Sequence, residues 1–197
     1  SSISPTTSLS SQCFTNLGES ATDALTAITC GWSTSWISHV PSFRPTTSLS
    51  PDGETAIFEA LGHIYKRDLE SGKVKRLTKQ DDHFELFPQF SRDGKKIVYT
   101  TWDDNEQGSV RVVSARSGRG DTITKEPGKY VEPTFSPDGK TVVYRKASGG
   151  SILNPTWSLE PGIYSVSAKG GNSTLITKSG YQPQFGAAND RIYVMSP

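Results

Sequence analysis

The sequence has few of the features that mark membrane or nucleic-acid-binding proteins. None of its 197 residues lie in an apolar run of 18 or more, the length that a membrane-spanning helix needs. The net charge is only +1, without the basic excess of a typical nucleic-acid-binding domain. The charged and apolar segments of a signal peptide are also missing. The sequence therefore predicts no membrane span and no nucleic-acid partner.

Cysteine and methionine are scarce as well. Cys13 and Cys30 are the two cysteines, and Met195 is the single methionine. Two unpaired thiols and one local disulfide, which would need an oxidising compartment, both remain open. Neither cysteine has a Cys or His at ligand spacing, so no metal is expected there. The scarcity of methionine and the serine at position 1 favour a piece of a longer protein.

Charge is nearly absent from residues 1–43, which carry only Glu19 and Asp23 and are rich in Ser and Thr. Such a composition is typical of a linker or leader. We predict a Ser/Thr-rich leader over residues 1–44 and the main domain over 45–197. One observation favours a degenerate structural repeat instead. The segment PTTSLS at residues 5–10 recurs at residues 45–50, and forty residues is about one propeller blade.

A turn motif repeats from residue 45 onward. Ser-Pro-Asp-Gly or Ser-Arg-Asp-Gly stands at residues 50–53, 91–94 and 136–139, at spacings of 41 and 45 residues. In this motif Pro presets φ, Asp can bond its own backbone, and Gly supplies the positive φ that reverses the chain. A β-branched and aromatic run follows each turn, and a fourth such run occupies residues 191–194. Asp-Gly between such runs predicts a β-hairpin.

Each unit continues with further short strand-like runs, giving four strands in about 40–50 residues. The predicted fold is all-β, a β-propeller-like array of four-stranded antiparallel blades. There are about four units, at residues 45–80, 86–125, 131–178 and 181–197, and the last is incomplete. Aromatic residues at equivalent positions are predicted in the blade cores, namely Phe90, Phe135, Phe185, Tyr99, Tyr144 and Tyr193.

The repeated pattern resembles the TolB-type (WD40-like) β-propeller repeat. Pro-x-Phe-Ser-Pro-Asp-Gly-Lys, then Ile-Val-Tyr, then Leu-Thr, carry this resemblance over residues 45–195. Residues 60–65, 87–91, 101–104 and 157–164 are also similar to the propeller part of bacterial proteins that join TolB-type blades to an amidohydrolase domain. That narrower resemblance implies a periplasmic or secreted bacterial parent with a metal-dependent hydrolase domain.

Motifs for catalysis are missing from this chain. Its histidines, His39, His63 and His83, do not form the His-x-His motif of such hydrolases. The Gly-x-Ser-x-Gly motif of serine peptidases, whose gating domains these propellers resemble, does not occur either. We predict no catalytic residue, no cofactor and a noncatalytic module for protein, peptide or ligand binding, as a fragment of a larger hydrolase-linked protein. The alternative is an accessory or gating domain of a metal-dependent amidohydrolase or peptidase whose catalytic domain is absent here.

Seven residues are candidates for binding. His63, which opens a third strand, and His83, in the loop before the next blade, could lie near a central channel and bind a ligand or a metal. Trp102 and Trp157, near strand ends or loops, could contact a ligand, since exposed aromatic side chains serve as binding anchors. The alternatives are a strand-start histidine, a solvated loop histidine and tryptophans that pack between blades. Oxygen ligands grouped in one loop could hold Ca²⁺. Asp103, Asp104 and Glu106 form such a group in the sequence. Their spacing is not that of a dedicated calcium loop, so a solvated hairpin tip is the alternative.

The last unit stops after two strands, which predicts an open sheet edge that must be covered. Residues 24–29 resemble the fourth-strand pattern of the other units. We predict that they complete the last blade by pairing with residues 191–195, which would close a four-unit ring. The competing prediction is an open arc that another chain completes, giving an oligomer.

Overall fold

The computed structural model describes residues 46–148 and 160–196, which lie within the second of two compact units of the chain. Regular structure in these residues consists of strands alone. The strands are β1 (Thr47–Leu49), β2 (Thr55–Ala60), β3 (His63–Asp68), β4 (Val74–Arg76), β5 (Phe84–Phe90), β6 (Lys96–Trp102), β7 (Val110–Ser114), β8 (Asp121–Thr122), β9 (Tyr130–Phe135), β10 (Thr141–Lys146), β11 (Gly162–Ser167), β12 (Thr174–Thr177), β13 (Tyr181–Phe185) and β14 (Ile192–Met195). No helix long and apolar enough to cross a membrane occurs in the described ranges.

The strands form four sheets in sequence order, here termed the first to fourth blades. Strands β1–β4, β5–β8 and β9–β12 each make a four-stranded antiparallel sheet, and β13 pairs with β14. The first strands of consecutive blades are neighbours, since β1 contacts β5, β5 contacts β9 and β9 contacts β13. Sheets arranged side by side through their first strands are the architecture of a propeller. The predicted all-β, propeller-like fold is confirmed.

The repeated Ser-x-Asp-Gly motif forms the same turn in the first three blades. In the second blade, the Ser91 hydroxyl donates to Asp93 Oδ1 at 2.6 Å and accepts the N–H of Lys96 at 3.0 Å. Gly94 has a φ of +67°, a conformation that favours glycine. The turns that begin at Ser50 and Ser136 repeat these contacts. Each turn therefore fixes the hairpin between a first and a second strand.

A β-bulge recurs in the first strands of the second, third and fourth blades. Phe87, Glu132 and Gln182 each precede a proline and have φ values of +54°, +56° and +51°. Positive φ is unfavourable for such residues, so fixed contacts must hold it. The N–H of Phe87 donates to Glu59 Oε2 at 2.8 Å, and that of Gln182 donates to Glu132 Oε2 at 2.7 Å. Both bonds join adjacent blades.

The core lies between the faces of neighbouring blades. One cluster joins the first two blades and contains Ile57, Ile64, Leu77, Ile97, Tyr99, Val113 and Ala115. A second cluster joins the second and third blades around Val112, Ile123, Tyr144 and Val166. Tyr99, Phe135 and Tyr144 are buried as predicted. Tyr193 is instead 59% exposed, because β14 is the last strand of its sheet in the described part of the chain.

Two predictions fall on residues outside the described ranges. The leader over residues 1–44 and the pairing of residues 24–29 with residues 191–195 both require residues before Thr46. The domain division and the closed ring therefore stay predictions.

Candidate functional site

Three loops of the first two blades lie at the same end of their sheets. Antiparallel pairing places the turn at residues 61–62, the connection at residues 77–83 and the loop at residues 103–109 at this end. Phe84, at the start of β5, is paired with Trp102, at the end of β6. We term this end the connection face and define it by Leu61, Asp81, Asp82, Phe84, Trp102, Asp103, Asp104 and Glu106.

An exposed apolar pair occupies part of the connection face. Leu61 is 90% exposed at the tip of a two-residue turn, with φ of +51°, and Gly62 follows at +79°. Phe84 is 57% exposed, and its ring packs on Gly62 so closely that a β-carbon there would lie 2.3 Å from its Cδ1. Positive φ is unfavourable for leucine, and an exposed leucine side chain gains nothing from burial. Positions that depart in this way from local preference are often functional.

Carboxylates of the loop at residues 103–109 lie at the same end of the sheets as this pair. Asp103 Oδ1 accepts the backbone N–H groups of Glu106 at 2.8 Å and Asn105 at 2.9 Å, and these bonds lower the pKa of Asp103. Asp104 Oδ1 accepts the indole N–H of Trp102 at 2.9 Å. The loop is thus a structured hairpin tip, held by the bonds that Asp103 and Asp104 accept.

Each of the two histidines in the first two blades lies close to one aspartate, His63 to Asp81 and His83 to Asp82. His63 Nε2 lies 3.7 Å from Asp81 Oδ1, which also accepts a bond from Arg76 Nη1 at 2.7 Å. His83 Nδ1 donates to Asp82 Oδ1 at 2.8 Å. The His83 side chain is only 4% exposed, so it is not a solvated loop residue. Burial lowers the pKa of His83, and the neutral imidazole orients Asp82.

Glu85 is a fully buried carboxylate next to the connection face. Its Oε2 atom accepts the N–H of Ile64 at 2.9 Å and the hydroxyl of Thr78 at 2.5 Å. Burial raises the pKa of Glu85. Ile64 and Thr78 belong to the first blade and its connection, whereas Glu85 lies on β5, so the contact joins two blades. The bonds that Glu85 accepts therefore connect the first two blades beside the connection face.

The structure gathers several residues that the sequence singled out. His63, His83 and Trp102 all lie at or beside the connection face, whereas Trp157 lies outside the described residues. In residues 46–148 and 160–196, no group of three or more His, Cys, Asp or Glu side chains is placed to hold a metal ion. Asp103, Asp104 and Glu106, considered as a calcium site, therefore do not form such a group.

Sequence reasoning missed Leu61, Phe84 and Glu85 as members of this region. A signal for Leu61 was present, because Leu-Gly stands between two strand-like runs and can form a two-residue hairpin turn. The positions of Phe84 and Glu85 depend on contacts between blades, which no local pattern reports.

Comparisons with known proteins support the propeller fold. No family model matches the chain. It is 30% identical over 98 residues to the Tol-Pal system protein TolB of Francisella tularensis subsp. holarctica (strain OSU18), which covers 48% of this chain and 22% of that protein. TolB of Francisella tularensis subsp. mediasiatica (strain FSC147) is 30% identical over 97 residues, with the same shares covered. The chain thus spans about a fifth of the length of the curated relatives it matches.

Two solved structures are similar in fold. TolB from Acinetobacter baumannii is 21% identical with a TM-score of 0.58, covering 75% of this chain and 36% of that one. Oligogalacturonate lyase in complex with manganese is 14% identical with a TM-score of 0.54, covering 64% of this chain and 38% of that one. These likenesses concern the fold alone. The resemblance to the TolB-type β-propeller repeat is confirmed by homology over half of the chain.

Proposed function

We propose that the chain is a noncatalytic β-propeller module that binds a protein or peptide segment through the connection face. The observation that carries the proposal is the exposed pair Leu61 and Phe84, which lies at the same end of the sheets as these carboxylates, on a frame of fixed blade contacts. Apolar anchors with a polar surround are the usual composition of a binding hot spot.

The chemistry of the face selects the partner segment. Leu61 and Phe84 favour an apolar side chain, since its burial with them removes apolar surface from water. Asp82, Asp104 and Glu106 favour lysine or arginine beside that side chain, because opposite charges steer association and fix register. Similarity to proteins named for the Tol-Pal system supports the general role of protein binding.

The parent protein belongs to the same proposal. The resemblance of residues 60–65 and 157–164 supports a bacterial protein, periplasmic or secreted, in which this propeller is joined to an amidohydrolase-type domain. Sequencing the parent gene tests this part. A His-x-His motif downstream would support the linkage, and a stop codon directly after residue 197 would contradict it.

A panel of three fluorescent octapeptides tests the binding role. One alternates Leu and Lys, one alternates Leu and Ser, and one alternates Ser and Lys. Fluorescence anisotropy with the 197-residue chain should show that the Leu-Lys peptide binds about tenfold or more tightly than either of the others. If the Ser-Lys peptide bound as tightly as the Leu-Lys peptide, or if the Leu-Lys peptide did not bind, the proposal would be contradicted.

A further inference from the structure

A second concave surface lies between the second and third blades. It is a cleft of about 640 Å³, bounded by β6, β7 and the loop after β7, and by the β11–β12 turn of the third blade. Its floor is apolar and mostly buried, formed by Val112, Ile123 and Ala168 of the core between these two blades. The side chain of Val113, the next residue of β7, belongs instead to the core toward the first blade. The volume falls within the range of roughly 300–1,000 Å³ that is usual for ligand pockets.

Four exposed cations line this cleft. They are Lys95, Lys96, Arg119 and Lys169, and within the described residues no hydrogen bond or ion pair engages their side-chain nitrogens. The single carboxylate in the lining is Asp121. The pKa of Asp93 is lowered mainly by the bond that it accepts from Ser91, and the nearby positive charge of Lys95 lowers it further. The excess of positive charge over a low-dielectric floor focuses the field on an anionic ligand.

We propose that this cleft binds an acidic peptide segment in which carboxylate and apolar side chains alternate. The carboxylates face the four cations, and the apolar side chains lie over the edge of the floor at Val112 and Ala168. An anionic polysaccharide would satisfy the cations but would make no apolar contact at the edge of the floor, where Val112 and Ala168 each keep 8% of their surface exposed. The cleft and the connection face use different residues and opposite charge, so each proposal can fail while the other holds.

The test uses a fluorescent octapeptide of alternating Glu and Val, titrated with the 197-residue chain by anisotropy at low salt. We expect binding that weakens as salt is added. The double variant Lys95→Glu and Lys169→Glu should bind about tenfold more weakly. The matched control is Lys75→Glu and Lys178→Glu, which makes the same charge change at two exposed lysines away from the cleft and should bind within about twofold of the parent.

Several results would overturn the proposal. Failure of the Glu-Val peptide to bind is one, and an equal loss in the control variant, which would indicate net charge alone, is another. Binding of a Gln-Val peptide with the same affinity would remove the role of the cations. Dextran sulfate is a further probe of the cleft. If it bound as tightly as the Glu-Val peptide and lost the same affinity in the double variant Lys95→Glu and Lys169→Glu, the floor would play no part in binding. The four substituted lysines are exposed, so thermal melting should show all variants folded.

Discussion

The carboxylate of Glu85 accepts the backbone N–H of Ile64, 2.9 Å away, across the boundary between the first and second blades. Ile64 is next to His63 in the chain, and Glu85 is next to Phe84. This one buried bond therefore holds residues of two blades in fixed positions at the connection face. Because buried polar groups are costly to leave without partners, the contact is sensitive to substitution.

Substitution of Glu85 by alanine should destabilise the fold. Glu85→Ala leaves the N–H of Ile64 and the hydroxyl of Thr78 without their acceptor and opens a cavity. We expect a loss of about 3 kcal/mol in the free energy of unfolding, measured by urea denaturation. A loss below about 0.5 kcal/mol, the size of a typical surface substitution, would contradict the role of this bond.

Glu85→Gln isolates the charge, since glutamine keeps an acceptor oxygen. The folded pKa of Glu85 is raised above its ordinary value of 4.5, so its contribution to stability is present below that pH and is lost as pH rises through the folded pKa. The stability of Glu85→Gln relative to the parent should therefore increase between pH 4.5 and pH 8. A stability difference that is constant over this range would show that burial of the charge has no energetic effect.

His83 should have the opposite pH dependence. Its folded pKa lies below the ordinary value of 6.5, so the unfolded chain takes up a proton first as pH falls. The contribution of His83 is present above about pH 6.5 and is lost as pH falls through the folded pKa. Between pH 7.5 and pH 5 the parent should lose more unfolding free energy than His83→Asn, which cannot be protonated. Equal losses in the two proteins would contradict the burial of a neutral His83.

Gly139 tests the repeated turn. Its φ is +67°, and a β-carbon there would meet no atom within 4 Å, so Gly139→Ala adds only backbone strain. We expect a loss of about 1 kcal/mol, seen as a lower melting temperature. The control is Gly128→Ala, whose φ is outside the left-handed region and whose β-carbon would lie 3.4 Å from Lys146 Cε. Equal effects of the two substitutions would argue against the left-handed turn.

The blades were predictable from the sequence because their turns are local. Ser91, Asp93 and Gly94 form a hairpin from contacts within six residues of chain, and the same letters give the same turn at Ser50 and Ser136. The role of the serine hydroxyl was not predicted, although Ser91 bonds both Asp93 and the N–H of Lys96 at the start of β6.

The connection face was only partly predictable. Trp102 and the acidic loop were visible as side-chain types, but the burial of His83 and Glu85 follows from packing between blades. Glu85 is 21 positions from Ile64, and no local pattern indicates that distant contact. The exposure of Tyr193 was missed for a similar reason, since its environment depends on what pairs with β14 rather than on the motif that contains it.

Gly62→Ala should disturb the connection face without removing any of its side chains. The added β-carbon would lie 2.3 Å from Phe84 Cδ1, so the ring must move, and φ of +79° adds strain. We expect weaker binding of the Leu-Lys octapeptide, by about tenfold, with far-ultraviolet circular dichroism unchanged. Unchanged affinity would indicate that the position of Phe84 is irrelevant to binding.

A single titration can show whether Leu61 and Phe84 anchor a partner segment. The Leu-Lys octapeptide is titrated with the double variant Leu61→Ser and Phe84→Ser, and with the control Leu175→Ser and Ile176→Ser, which removes exposed apolar side chains from β12 of the third blade. We expect the first variant to bind the peptide at least about tenfold more weakly than the parent, and the control to bind it within about twofold of the parent. Equal affinities of the two variants would contradict this anchoring role.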